Sequence, residues 1–265
     1  MLVRTIPVTE PLTIAAGPLT RDAFAAFGDV IANPRPERRP SNTAPEALAR
    51  GELPCGAVSA NQGTAIQYKA IASMPRDLYG SAPSRKAGSA RMTMFVCGAR
   101  TLVGRGGGEE GEKGGADGFR VVILERHPFT SQTFIPLTAD TTKRYLVIVA
   151  PTLGSTGDDS SLPAPEGAGL PGRGLPDVRA LRAFVATGEQ AVTYAAGTWH
   201  APMVALGPAD STIDFVVVQF ANDVPVEDCQ EVALEDGGKD EREGNGPGTI
   251  WVQVPERYRR ELAKL

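Results

Sequence analysis

The sequence predicts a mainly β fold, a sandwich or barrel, on three observations. Apolar residues recur at every second position through most of the chain after residue 65. The segments that show this pattern are short and follow one another closely. Stretches rich in Gly, Pro and Ser separate them, as turns and loops require. With 265 residues and 42% hydrophobic content, the chain can bury one substantial core. We expect a single domain over residues 1–265, with a core at about 5–232 interrupted by insertions.

In chain order, Leu19–Gly28 reads as a short helix with Thr20 as N-cap, Asp22 near its positive end, and Gly28 as its stop. Phe24 and Phe27 would pin it to the core. Strands are then expected at Ile66–Ala70, Met92–Cys97, Phe119–His127, Gln132–Pro136, Arg144–Ala150, Met203–Leu206 and Asp214–Phe220. Val178–Ala186 is the exception: Val178, Leu181, Phe184 and Val185 fall on one helical face before Gly188, which predicts a helix. A charged helix should close the chain at about 255–264. Residues 104–118, 154–174 and 235–248 are too rich in Gly, Pro, Ser and charge to repay their ordering entropy, and read as flexible loop insertions. None of these Gly-rich runs leads from a strand into a helix ending Lys-Ser/Thr, so none is read as a phosphate cradle.

Charge and cysteine content exclude several function classes. The net charge of −4, from 27 basic and 31 acidic residues spread along the chain, offers no basic stripe for a nucleic-acid backbone. No apolar run approaches the roughly 20 residues of a membrane-spanning helix, and no signal pattern opens the chain. A soluble, cytoplasmic protein is expected, with a small molecule as its partner. Cys55, Cys97 and Cys229 are odd in number and lack Cys-x-x-Cys spacing, which argues against a disulfide framework or a thiolate zinc site.

The chemistry must pass through two segments, because the chain has only two histidines. They lie in Glu125-Arg-His127-Pro-Phe-Thr-Ser-Gln132 and Gly197-Thr-Trp199-His200-Ala-Pro202. Residues two apart on a strand share a face, so Glu125 and His127 should point the same way as Val121 and Ile123, toward the interior. The turn at Pro128–Ser131 would bring Gln132 back beside them. Gly197 permits a tight turn, Trp199 anchors it by packing, and His200 projects at the start of the next strand. Four side chains could then converge: a carboxylate, two imidazoles and an amide. The bland alternatives are a structural ion pair at Glu125, core histidines satisfied by hydrogen bonds, and a strand-end hydrogen bond at Gln132.

Those residues resemble a known family. Leu124-Glu-Arg-His-Pro-Phe-Thr-Ser-Gln-Thr-Phe-Ile-Pro-Leu137, Leu181-Arg-Ala-Phe184, Gly188 through Gly197-Thr-Trp-His200 and Asp214-Phe215 occur in the order seen in ureidoglycolate lyases. Phe24-Ala-Ala-Phe-Gly-Asp-Val-Ile31, Asn61-Gln-Gly63 and Glu227-Asp-Cys-Gln-Glu231 fit the same pattern, over about residues 5–232. The resemblance implies a cupin-like (RmlC-like) β-barrel with a few short helices, acting as a homodimer that cleaves (S)-ureidoglycolate to glyoxylate and urea in allantoin breakdown. It resembles the fungal branch, with Ala201 and Val96 where bacterial members usually carry His and often carry Arg.

Under that resemblance Glu125, His127 and His200 are the expected catalytic residues, and Gln132, Asn61 and Trp199 the expected substrate contacts. Glu125, His127, Gln132 and His200 could also hold one divalent metal, such as Ni, Zn or Mn. Elimination of urea from a carbinolamide needs a base for the hydroxyl proton, an acid for the departing nitrogen, and a grip on the carboxylate. Three rival readings are open: another metal-dependent cupin enzyme acting on a small acid, a non-catalytic carboxylate-binding module, and an amidohydrolase on the same substrate.

Overall fold

The computed structural model describes residues 1–73, 75–100, 102–104, 117–138, 140–157, 159, 161–236 and 248–262. The fold is mainly β, with four short α-helices among the described residues, and its three larger sheets stack as layers. An eight-stranded central sheet runs in the order Leu2–Val8, Gln230–Asp236, Ile123–Arg126, Trp199–His200, Arg144–Ala150, Arg182–Thr187 and Gly17–Pro18, with Val204–Leu206 also paired to Arg144–Ala150. A five-stranded sheet covers one face, in the order Gly28–Ile31, Ala191–Tyr194, Gln132–Pro136, Thr212–Ala221 and Ser89–Gly98. A four-stranded sheet of Leu12–Ala15, Ile250–Gln253, Asp117–Val121 and Val103–Gly104 lies against the other face. Among the described residues no sheet closes into a complete barrel; the two larger sheets enclose the interior between them, an arrangement consistent with a cupin-like β fold.

Arg144–Ala150 shows why the layers form. Tyr145, Val147 and Val149 join Phe134, Phe215 and Tyr194 in the core facing the five-stranded sheet. Leu146, Ile148 and Ala150 point the other way, into a second core with Val121, Val252 and Leu234. A strand buried on both faces loses its polar alternation and reads as one apolar run. Each fully buried side chain of this kind contributes roughly 1.5–3 kcal/mol of transfer free energy.

The same double burial overturns the helix expected at Val178–Ala186. Only Val178–Ala180 makes a single 3₁₀ turn; Arg182–Thr187 is a strand in antiparallel register with Arg144–Val149. Leu181, Ala183 and Val185 face one core, while Phe184 and Ala186 face the other. Helical spacing and a two-faced apolar strand look alike over so few residues, and sheet pairing decides between them.

Phe119–His127 is likewise not one strand. It breaks at exposed Val122: Asp117–Val121 pairs in the four-stranded sheet and Ile123–Arg126 in the central one. The break changes the side-chain phase, so Val121 and Leu124 share the outer core and Glu125 faces the opposite way. The strand expected at Ile66–Ala70 is shorter and earlier, Ala65–Gln67, in a hairpin with Val58–Ala60. Met203–Leu206 narrows to Val204–Leu206, and the strands at 92–97 and 214–220 extend to Ser89–Gly98 and Thr212–Ala221.

The first helix is Arg21–Phe24, capped as expected by Thr20, whose Oγ1 accepts from the Ala23 amide at 3.2 Å. Gly28 is not its stop but the first residue of a strand. Its φ of +147° and a Cβ position only 1.9 Å from the Thr193 carbonyl oxygen make glycine obligatory there. The closing helix is Glu256–Leu262. Most of the insertions at 104–118 and 235–248 lies outside the described residues. The described part of 154–174 has neither helix nor strand, yet its carbonyls take up buried donors described below.

Candidate active site

Glu125 occupies the middle of the central sheet, paired with His200 on one neighbouring strand and Glu231 on the other. Directly paired residues project to the same face, so the three side chains form a row toward the five-stranded sheet. His127 follows the end of its strand. The Gly197 amide donates to the His127 carbonyl at 2.8 Å, which ties the two histidine segments together. The ligand atoms of Glu125, His127 and His200 all lie within 4.8 Å of one another, and the imidazole centroids are 5.7 Å apart.

Main-chain carbonyls set the imidazole tautomers. His127 Nδ1 lies 2.6 Å from the Asp228 carbonyl oxygen, and His200 Nδ1 lies 2.9 Å from that of Thr198. A carbonyl only accepts, so each Nδ1 carries a proton and Nε2 is the nitrogen left free for chemistry. Both Nε2 atoms are buried without a hydrogen-bond partner among the described residues. His200 Nε2 is nevertheless 3.5 Å from Glu125 Oε1. A lone pair facing an anionic oxygen is stable only with a proton or a cation between them. The donor set therefore fits a positive charge at this point, supplied by a proton or a divalent metal.

Burial by itself would raise the carboxyl of Glu125, but the facing His200, and then His127, outweigh it and hold it below its ordinary value. Burial, then the neighbouring His200, pushes His127 downward. Tyr194 stacks flat on His200, with centroids 3.9 Å apart and planes 12° from parallel, and burial drives its phenol far above the ordinary range. Gln132 is paired with Tyr194 on the facing sheet. Its Nε2 donates to Gln219 Oε1 at 2.8 Å, while its own Oε1 is buried and unpaired among the described residues.

Glu125, His127 and His200 thus come together, with Gln132 on the wall opposite. The structure does not bring Trp199 or Asn61 to them. Trp199 is fully buried on the far side of the central sheet, its indole N–H donating to the Gly174 carbonyl at 3.1 Å and its ring 4.5 Å beneath the Arg126 guanidinium. Asn61 is exposed in the turn of the Val58–Ala60 and Ala65–Gln67 hairpin. Four participants were not visible from the sequence: Tyr194, Gln219, Cys229, whose Sγ is 4.0 Å from Glu125 Oε2, and the Asp228 carbonyl. Backbone acceptors carry no residue signature, and the others depend on register between distant strands. A cavity of about 460 Å³ opens at the other end of these strands, beside Ile31, Ile66, Ile135 and Ala191, and none of the histidine cluster lines it.

The sequence profile of the ureidoglycolate lyases matches residues 11–239, a span that includes every residue of this cluster. The chain belongs to the ureidoglycolate lyase family. It is 30% identical to the ureidoglycolate lyase of Saccharomyces cerevisiae over 85% of this chain and 96% of that protein. It is 31% identical to that of Schizosaccharomyces pombe, over 85% of this chain and 94% of the relative. The ureidoglycolate lyase of Burkholderia mallei is 30% identical over 91% of this chain and 93% of its own length. These fungal and bacterial relatives are thus about equally similar to it. Among the described residues no helix is long and apolar enough to cross a membrane.

Proposed function

We propose that this chain is a ureidoglycolate lyase, cleaving (S)-ureidoglycolate to glyoxylate and urea at the Glu125, His127 and His200 cluster. The observation that carries the reading is the convergence of two imidazoles and a carboxylate, with both Nε2 atoms buried and without a partner among the described residues, inside the family's matched span. Membership supplies the substrate, and the geometry supports a division of roles. His127, kept neutral by burial, takes the hydroxyl proton of the carbinolamide at Nε2. The carbon–oxygen double bond forms as the carbon–nitrogen bond breaks. The proton held between Glu125 Oε1 and His200 Nε2 passes to the departing nitrogen, which leaves as urea. Gln132 Oε1, an acceptor without a partner in the described residues, suits a ureido N–H, while Gln219 keeps its amide oriented.

The same groups fit a divalent ion such as Ni, Zn or Mn: Glu125, His127 and His200 would hold it, with Gln132 Oε1 as a candidate fourth donor. Bound there, it would act as a Lewis acid toward the substrate hydroxyl. We further propose a cytoplasmic homodimer. All three cysteines are free, as a reducing compartment favours. Ser89–Gly98 is an edge strand with Met92, Met94 and Val96 exposed, a surface suited to pairing with a second copy.

The test is to supply ureidoglycolate and quantify urea, glyoxylate and ammonia against uncatalysed breakdown, before and after chelation and resupply of each metal. Urea and glyoxylate in equal amounts above background are expected. Ammonia without urea would mean a hydrolase, and no acceleration with any metal would mean a binding module. Light scattering on wild type and Met94→Lys tests the dimer, which the variant should dissociate.

A further inference from the structure

We infer that Asp228 is a positioning residue for His127, held in place by Tyr79, and that this pair fixes which imidazole nitrogen faces the site. The inference rests on the reading above only in taking His127 Nε2 as a working atom.

Asp228 meets the imidazole through its main-chain carbonyl, 2.6 Å from Nδ1. Such an acceptor is only as fixed as its peptide plane, and here the side chain of the same residue anchors that plane. Asp228 Oδ1 accepts from the Asn222 amide at 2.8 Å and the Tyr79 hydroxyl at 2.6 Å, and Oδ2 accepts from the Asp223 amide at 2.7 Å. Asp223 sits at a φ of +60°, a strained position for a residue with a side chain, and its amide is thereby turned to the carboxylate. The turn Pro225–Asp228 is closed by the Asp228 amide on the Val224 carbonyl and the Cys229 amide on that of Pro225, both at 2.9 Å.

Tyr79 closes the circuit back to the histidine. It is almost fully buried, and its ring lies 5.7 Å from that of Phe129, two residues beyond His127. The preceding residue, Leu78, donates its amide to the Phe129 carbonyl at 2.8 Å. His127, the Asp228 carbonyl, the Asp228 carboxylate, Tyr79 and Phe129 therefore form a closed ring of contacts. An outer partner that donates or accepts at the far nitrogen of an imidazole sets both its tautomer and its ring angle. The second histidine is held by a local Thr198 carbonyl two residues away, and has no share in this circuit.

Tyr79→Phe removes one oxygen and leaves the packed ring. With only two histidines in the chain, long-range proton–nitrogen NMR of the metal-free, substrate-free protein resolves both imidazoles, and a His127→Ala spectrum assigns them. Wild type should show both rings protonated at Nδ1. In Tyr79→Phe, and in Asp228→Asn, His127 should become a mixture of tautomers while His200 is unchanged, and kcat should fall about 10-fold with KM altered less than about 2-fold. His127 remaining wholly Nδ1-protonated in both variants overturns the inference, as does an equal change at His200, which would mean general loosening. Because the spectra need no substrate, a wild type that releases no urea yet shows the expected His127 response would refute the lyase reading and leave this one standing.

Discussion

Replacing Arg126 with alanine tests how much the buried guanidinium on the far side of the central sheet contributes to holding segment 172–174 in place. The guanidinium is fully buried and spends its donors on neutral acceptors: Gln230 Oε1 at 2.9 Å and the carbonyls of Gly172, Arg173 and Gly174 at 2.9, 2.9 and 3.1 Å. It also lies over Trp199, whose chain neighbour is His200. Burial pushes its pKa down to about 10, with the charge of Asp159 opposing, so it stays charged at neutral pH. Hydrogen bonds from a charged donor contribute about 1.5–3 kcal/mol each. Relief of the desolvation penalty offsets several kcal/mol of that sum. The Gly172 and Arg173 carbonyls are half-buried and regain some water, while Gly174 keeps its indole partner. The expected net loss is about 3–5 kcal/mol, a large part of a typical domain's 5–15 kcal/mol. Urea denaturation measures it as a lower midpoint at unchanged slope. Arg126→Lys, a point charge without the fork, should recover about half. A loss below about 1 kcal/mol for Arg126→Ala would refute the argument that these four bonds hold segment 172–174 to the sheet.

Three further outcomes are expected. His200→Ala should lower urea release at least about 100-fold while unfolding cooperatively near the wild-type midpoint, and retained turnover in the folded variant would remove His200 from the mechanism. Stability should fall in acid, in two stages of the same sign. His127 is held below its ordinary 6.5, so the unfolded chain protonates first and stability declines as pH drops through 6.5 toward the folded value. Glu125 is held below its ordinary 4.5, so its contribution is present above that pH and is lost as pH falls through the folded value. Denaturation midpoints between pH 7 and 3 check both stages, and His127→Ala should erase the first; a flat profile from 7 to 5 in wild type would contradict it. Gly28→Ala forces a Cβ against the Thr193 carbonyl at positive φ, and should cost at least about 2 kcal/mol by thermal melting. An unchanged melting temperature would mean that the strand shifts freely.

The sequence by itself determined the β class, the capped helix at Thr20, and which residues could do chemistry, because those depend on local period and on the scarcity of histidine. Pairing across the sheet decided the rest. Arg182–Thr187 became a strand because both of its faces are covered, a condition no window of eleven residues contains. The break at Val122 reversed the phase of Val121 against Glu125, which alternation along one strand could not reveal. Glu125, His127 and His200 were named from two motifs, but their convergence depends on the Glu125–His200 register and on the Gly197 amide reaching His127. Trp199, next in sequence to His200, faces away from the cluster and packs as an anchor, since adjacent strand residues take opposite sides of the sheet. The imidazole tautomers were set by main-chain carbonyls of Asp228 and Thr198. Every residue carries such a carbonyl, so only the fold could say which one a histidine would meet.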